Sequence, residues 1–205
     1  MFSRVESKFF GTYSLKKSLE KTKINVEKRV SQIDFNTLGK SLSCNPYMPR
    51  TTLNHLILKE NLYYLSSFEV SNFESLNADF ASINNKYSAV LANTTLQNEI
   101  SLISNLRRYS PYLIIHKDII ISKYQVLESL VYGADMIILA NCILHKDSFF
   151  ILAEYAKHLG LEVASLIDNK ESLGISLESN INIFITQDST IIDSIPHNKA
   201  LIILK

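Results

Sequence analysis

Glycine is scarce in this sequence, with 5 residues among 205. Enzymes that bind phosphate groups commonly use several glycines, because backbone without a side chain can approach a phosphate closely. Here every glycine precedes a predicted strand or lies in the N-terminal region, and none follows a late strand. The sequence therefore offers little for a glycine-rich phosphate loop.

Other absences narrow the class of protein. No run of about 18 apolar residues occurs, and residues 1–8 lack the apolar block of a secretory signal, so we expect no membrane association. Two cysteines, Cys44 and Cys142, are too few for a disulfide framework and fit a reducing cytoplasm. Lys and Arg number 21 against 20 Asp and Glu, so charge gives no reason to expect a nucleic-acid partner. A hydrophobic content of 46% suits one globular cytoplasmic protein.

Residues 1–52 are predicted to be an N-terminal helical extension. In residues 12–33 apolar side chains recur at a helical period and lysines occupy much of the rest. A cationic helix of this kind can contact an acidic partner, although a solvated helix that covers a core with its apolar edge is the simpler interpretation. Residues 34–52 contain Gly39, Pro46 and Pro49 and are predicted to be an irregular connector.

Residues 53–205 are predicted to form one α/β domain in which apolar runs alternate with amphipathic segments. The predicted strands are 62–65, 88–92, 112–115, 136–140, 161–167, 181–185 and 200–204. The predicted helices are 73–84, 97–109, 124–132, 147–159, 170–177 and 189–194. Gly133 and Gly160 are expected to end two of the helices, and Asp147 or Ser148 to cap one. The alternation indicates parallel strands, in either a doubly wound sheet or a (β/α)8 barrel.

Three segments carry a more specific signal. Residues 117–125 read Lys-Asp-Ile-Ile-Ile-Ser-Lys-Tyr-Gln, residues 133–135 read Gly-Ala-Asp before an apolar run, and residues 158–163 read His-Leu-Gly-Leu-Glu-Val. In this order they resemble the indole-3-glycerol phosphate synthase family, with a good match over residues 110–173. The resemblance implies a (β/α)8 TIM barrel, in which chemistry takes place at the C-terminal ends of the strands.

The predicted barrel is incomplete, because the sequence contains about seven strands where the family has eight. A barrel that is one strand short leaves two open edges, which must be covered, distorted or paired. We therefore expect self-association, or a protein partner, at an open strand edge.

The resemblance also implies an activity in tryptophan biosynthesis. The family closes an indole ring on a phosphorylated carboxyphenylamino-deoxyribulose, with loss of carbon dioxide and water, and thus acts as a carboxy-lyase without a cofactor or metal. The reaction needs a cationic acid at the ketone, carboxylates for proton transfer and a backbone nest for the phosphate. Lys117 matches the lysine after the third strand of the family, so the resemblance implies that it is the general acid.

Most other catalytic positions of the family are not matched. They fall on residues that carry neither a carboxylate nor an ammonium: Tyr64 and Ser66 on the first strand, Asn93 on the second, Leu166 on the fifth, and the turn 184–187. The phosphate turn would begin at residues 204–205. Since a lost proton-transferring carboxylate costs about 10²–10⁴ in rate, we predict a degenerate, weakly active or inactive homologue.

Three functional hypotheses remain open. In the first, the protein is a degenerate member that binds a phosphorylated sugar-like small molecule or a partner, and the Lys117 ammonium has no acidic neighbour. In the second, the protein is an active synthase with Lys117 as general acid and with Glu69 and Asp168 as replacement carboxylates. In the third, it is a non-catalytic scaffold. His116 is a further candidate proton donor, and a purely structural ion pair of Lys117 with Asp118 or another neighbour is the alternative.

Overall fold

The computed structural model describes residues 9–10, 14–50, 56–59, 62–71, 87–95 and 99–204. The N-terminal region forms α1 (Leu15–Gln32), α2 (Phe35–Lys40) and a 3₁₀ turn (Ser41–Cys44). The strands are β1 (Ile57–Lys59), β2 (Leu62–Val70), β3 (Ala89–Asn93), β4 (Leu113–Lys117), β5 (Met136–Ala140), β6 (Glu162–Leu166), β7 (Ile183–Ile185) and β8 (Ala200–Leu204). The later helices are α3 (Ser101–Tyr109), α4 (Lys123–Tyr132), α5 (Lys146–His158), α6 (Lys170–Glu178) and α7 (Ser189–Ile192).

Strands β2 to β8 form a closed parallel barrel, which confirms the predicted TIM-barrel class with seven parallel strands in the described chain. The nine-residue β2 closes the barrel because it pairs with a different strand at each end. Its first part pairs with β8, from Tyr63 opposite Ala200 onward, and its last part pairs with β3. The expectation of two open edges is therefore wrong, because β2 and β8 bond to each other. Strand β1 adds an antiparallel hairpin to β2.

The barrel strands are covered on both faces, as their nearly continuous apolar runs predict. Alternate residues point to opposite sides. One set fills the barrel, with members from all seven parallel strands such as Leu65, Leu91 and Leu166. The other set, which includes Val90 and Phe184, packs against the surrounding helices.

Most helix boundaries agree with the sequence pattern. Gly133 and Gly160 follow α4 and α5 with φ of 98° and 82°, the left-handed conformation expected of a stop. Helix α5 has His145 as its N-cap residue, so neither Asp147 nor Ser148 takes that position. The predicted helix 73–84 lies outside the described residues. Within the described part of the chain, no helix is long and apolar enough to cross a membrane.

The connector predicted for residues 34–52 is partly helical. Asp34 caps α2 by accepting hydrogen bonds from the backbone N–H groups of Asn36 and Thr37, which is a signal for a helix start that outweighs the glycine inside it. Leu38 of α2 then packs against Leu127 of α4, so the N-terminal region is seated on the barrel. The division at residue 52 stays a prediction.

A buried ion cluster lies at the opposite end of the barrel from the strand C-termini. Asp135, fully buried just before β5, accepts hydrogen bonds from the guanidinium groups of Arg50 and Arg107 and from the backbone of Ile114. Burial opposes ionisation of Asp135, but the bonds from Arg50 and Ile114 outweigh it and hold the pKa below its usual value. The cluster fastens residue 50 to the barrel, which is the stabilising role expected at this end.

Candidate functional site

Three neighbouring strands carry polar side chains at their C-terminal ends, at Glu69, Asn93 and Lys117. Leu91 and Ile115, two residues earlier on β3 and β4, belong to the core inside the barrel. Asn93 and Lys117 therefore face the same side of the sheet, and the register sets them opposite each other. We call Glu69, Asn93 and Lys117 the mouth cluster. It occupies the end of the barrel where active sites of this fold lie.

The mouth cluster is held together by Glu69. Lys117 Nζ donates to Glu69 Oε2 at 2.6 Å, and the side-chain amide of Asn93 donates to Glu69 Oε1. Asn93 is itself oriented, since its Oδ1 accepts the backbone N–H of Thr95 at 3.1 Å. Both carboxylate oxygens are thus engaged, one of them by a charge-assisted bond.

An aromatic ring from the N-terminal region covers the ammonium. The centroid of the Phe9 ring lies 4.4 Å from Lys117 Nζ, a cation–π distance. The Lys117 side chain is 4% exposed, whereas that of Glu69 is 36% exposed. The carboxylate is open to solvent and the ammonium is not.

The expectation that the Lys117 ammonium lacks an acidic neighbour is wrong. Its partner is Glu69, which the second hypothesis named as a replacement carboxylate. Asp118 does not pair with it, because Asp118 accepts the backbone N–H of Ile119 and burial raises its pKa. Sequence patterning could locate Glu69 once β2 was known to continue to Val70, since Glu69 then shares a face with buried Leu65.

Asp168 lies at the same end of the barrel but outside the mouth cluster. It follows β6, and its carboxylate accepts a hydrogen bond from Asn169 at 2.9 Å. Its backbone N–H donates to Ser172 Oγ, within the capping box that starts α6. These contacts assign Asp168 to the start of a helix, and the structure does not bring it to Lys117.

His116 points away from the mouth, into the layer between β4 and α4. Its Nδ1 lies 2.7 Å from Ser129 Oγ and its Nε2 lies 2.9 Å from Thr94 Oγ1. Burial, assisted by the charge of Arg29, lowers the pKa of His116 to about 3. The imidazole is therefore neutral at physiological pH and faces the helices, so the structure gives no support to its role as a proton donor at the mouth.

An ion pair lies on the helix side of the layer that contains His116. The Arg29 Nε of α1 donates to both carboxylate oxygens of Glu128 on α4, at 2.8 and 3.1 Å. Burial raises the pKa of Glu128, although Arg29 opposes the shift. This contact, in which one N–H is shared by two carboxylate oxygens, holds the C-terminal half of α1 on the barrel. Phe9, Arg29 and Arg50, which sequence analysis did not single out, thus connect the N-terminal region to the barrel.

Comparison with known proteins identifies the family. A sequence profile described as indole-3-glycerol phosphate synthase matches residues 72–185. An indole-3-glycerol phosphate synthase from Campylobacter hominis is 30% identical over 188 residues, which cover 80% of this chain and 69% of that protein. This chain belongs to the indole-3-glycerol phosphate synthase family. Another member, from Campylobacter concisus, is 34% identical over 158 residues, covering 71% of this chain and 60% of that protein.

Solved structures agree with the barrel. A 3-keto-L-gulonate-6-phosphate decarboxylase from Vibrio cholerae superposes with a TM-score of 0.54 at 12% identity, covering 68% of this chain and 87% of that one. A chain of the tryptophan synthase complex from Pyrococcus furiosus gives a TM-score of 0.53 at 12% identity, covering 72% and 79%. At this identity the likeness shows the fold alone.

Family membership makes the orientation of β2 important. The family's Glu-x-Lys pair was aligned with Tyr64 and Ser66, but Tyr64 packs in the outer layer against the helices. The inward face at the end of β2 instead carries Ser67 and Glu69, which have the same two-residue spacing. The first strand of the parallel barrel thus supplies one carboxylate, Glu69, to the mouth.

The later strands contribute apolar side chains. Leu166 on β6, where the resemblance places a glutamate, is 2% exposed and belongs to the core inside the barrel. Phe184, aligned with the glycine of the sixth-strand turn, is fully buried in the outer layer. Chemically, the described mouth can hold an anion against an ammonium or exchange one proton between Lys117 and Glu69. Within the described residues, no group of three His, Cys, Asp or Glu side chains is placed to hold a metal.

Proposed function

We propose that this chain is a degenerate member of the indole-3-glycerol phosphate synthase family, which keeps the barrel and the lysine but has little or no ring-closing activity. One observation carries the proposal. Among the residues that the structure describes, the mouth cluster contains a single carboxylate, Glu69, and each of its oxygens accepts a hydrogen bond, from Lys117 and from Asn93. The position that the resemblance assigns to a second carboxylate holds the buried Leu166.

The chemistry of the family explains why one such pair is insufficient. Ring closure protonates a ketone oxygen, and decarboxylation and dehydration then require further proton transfers. A general acid must present its proton to the substrate, and a general base must have a free lone pair. In this mouth Lys117 and Glu69 bind each other, and the described residues of the mouth cluster supply no second carboxylate for the further proton transfers. Each missing catalytic group costs about 10²–10⁴ in rate, although such losses are not additive.

The proposed role is binding of a phosphorylated sugar-like small molecule. Lys117 provides a cation at the C-terminal end of the strands, where ligands of this fold bind. Relatives named indole-3-glycerol phosphate synthase support an origin in tryptophan biosynthesis. If the protein is active, the same relatives support a carboxy-lyase.

A fluorescence assay tests the loss of activity. The purified chain is incubated with the phosphorylated carboxyphenylamino-deoxyribulose, and indole formation is followed by its emission. The relative from Campylobacter hominis serves as the positive control, and Lys117→Met is the matched negative control. We expect wild type and Lys117→Met to give the same near-background rate. Turnover by wild type that Lys117→Met abolishes, with an unchanged circular dichroism spectrum, would refute the proposal.

The 2.6 Å contact between Lys117 and Glu69 favours one second candidate, an active synthase in which this pair transfers the proton. That candidate predicts that Glu69→Gln abolishes turnover, while Asp168→Asn, outside the mouth cluster, leaves it unchanged. The scaffold hypothesis loses the open strand edge, because β2 and β8 pair with each other, and keeps the cationic N-terminal helix. Self-association stays a prediction, which a measurement of molar mass in solution tests.

A further inference from the structure

Two phenylalanines that precede α1 lie in the barrel mouth. Phe9 and Phe10 are 2% and 1% exposed, and they belong to the same apolar cluster as the inward-facing strand residues. Their rings meet edge to face, with centroids 5.1 Å apart. The side of the site that holds the Lys117 ammonium is thus filled by side chains of the chain itself.

Of the two charged groups in the ion pair, the ammonium is the covered one. Phe9 stands over Lys117, whose side chain is 4% exposed, whereas the Glu69 carboxylate bound to that ammonium is 36% exposed. Phe9 therefore lies against the buried partner of the ion pair, while the carboxylate stays open to solvent.

Helix α1 is attached to the barrel at two places: Leu15 in its first turn is buried in the same cluster as Phe9 and Phe10, and its second half is attached outside the mouth. Val26, in the second half of α1, packs with Leu38 and Leu127 on the outer side of the barrel. Arg29 of the same half binds Glu128 at 2.8 Å. These contacts do not involve the mouth, so α1 has an anchor that remains when Phe9 and Phe10 leave.

We propose that Phe9 and Phe10 are an autoinhibitory plug, which withholds Lys117 from anionic ligands and is displaced when such a ligand binds. The proposal rests on the proposed function for the position of the ligand site at Lys117. A phosphate or carboxylate forms a stronger bond to an ammonium than the face of a phenyl ring does, so the ligand competes with Phe9 directly. The apparent dissociation constant equals the intrinsic one divided by the fraction of molecules in which the plug is open.

Chemical labelling of Lys117 measures the plug without requiring activity. The full chain is treated briefly with an amine-acetylating reagent and digested, and the acetylated fraction at Lys117 is determined by mass spectrometry against exposed Lys170 in the same sample. Phe9→Ala removes the ring that covers the ammonium, so we expect it to raise the ratio at least about tenfold. Phe35→Ala, which truncates a ring that is 40% exposed on the outer surface, is the matched control and should leave the ratio unchanged.

A wild-type experiment keeps the proposal testable if Phe9→Ala fails to fold. Labelling is repeated across a urea series while far-ultraviolet circular dichroism reports global unfolding. A plug that opens locally predicts faster labelling of Lys117 at urea concentrations where the spectrum is unchanged. Labelling that rises only with global unfolding would overturn the proposal, as would an unchanged ratio in folded Phe9→Ala. Neither result depends on indole formation, so failure of the plug and failure of the proposed function are distinguishable.

Discussion

The buried imidazole of His116 predicts a specific loss of stability in acid. Its ring is 1% exposed and contacts Thr94 and Ser129. The Ser129 hydroxyl donates to the Gln125 carbonyl, so we assign Nδ1–H of His116 as the donor to Ser129, which leaves Nε2 to accept. Protonation would place a charge in a buried layer that already contains Arg29. The Asp118 carboxylate lies 4.0 Å from Nε2, but it is itself buried and its pKa is raised.

The direction and size of this pH effect follow from the pKa values of His116 in the folded and the unfolded chain. The unfolded chain titrates near the ordinary histidine value of about 6.5, and burial lowers the pKa of folded His116 to about 3. The stabilisation is therefore complete above pH 6.5 and is lost as pH falls toward 3. Between pH 8 and pH 5 the linkage relation gives a loss of about 2 kcal/mol from this residue. The figure depends mainly on the unfolded value, because pH 5 lies above the folded pKa.

A comparison with His116→Gln isolates the contribution of His116 titration to the free energy of unfolding, since glutamine can keep a donor and an acceptor without titrating. The free energy of unfolding is measured by urea denaturation at pH 8 and pH 5 for both proteins. Wild type should lose about 2 kcal/mol more than the variant over this interval. Buried Asp118 and Glu128, whose pKa values are raised, act in the opposite direction but are present in both proteins. Equal losses within about 0.5 kcal/mol, a typical additivity error, would refute the reasoning.

Two further predictions concern the end of the barrel opposite the mouth. Asp135→Ala leaves two guanidinium groups and the Ile114 N–H without their buried acceptor, and should lower the free energy of unfolding by about 3–5 kcal/mol; a loss below about 1 kcal/mol in urea denaturation would contradict the ion-cluster assignment. Gly133→Ala combines a φ of 98° with a Cβ that would lie 2.9 Å from Arg107 Cγ, whereas Gly160→Ala has a φ of 82° and no atom within 4 Å. The second should cost about 1–2 kcal/mol and the first clearly more, and equal melting temperatures would contradict this difference.

The strands were predictable where burial makes the sequence continuously apolar. Met136–Ala140 and Ala200–Leu204 have the predicted bounds. Strand β2 was predicted to end at Leu65, but it continues to Val70. The prediction stopped early because Ser67 and Glu69, on its inward face at the mouth, interrupt the apolar run. Polar side chains at the end of a buried strand interrupt its apolar run. A search for apolar runs therefore finds the buried part of the strand and misses the end that carries the functional side chains.

The site itself needed information that local patterns do not contain. Lys117 was found by resemblance and Glu69 was named as a replacement carboxylate, whereas the contact between them required the register between strands. The positions of Phe9 and Arg29 depend on contacts with residues about a hundred positions away, which periodicity does not encode. Helix α2 is a different case, because Asp34 with its capping bonds was a readable local signal.

The pairing of Tyr63 with Ala200 has a consequence for how the protein is made. Strand β2 is among the first barrel strands to leave the ribosome. Its neighbour β8 is the last of the described strands to do so. Until residue 200 and those after it are synthesised, part of the backbone of β2 has no hydrogen-bonding partner in the barrel, and closing so long a loop is slow. Newborn chains of this protein should therefore depend on chaperones more than those of a helical bundle of the same length.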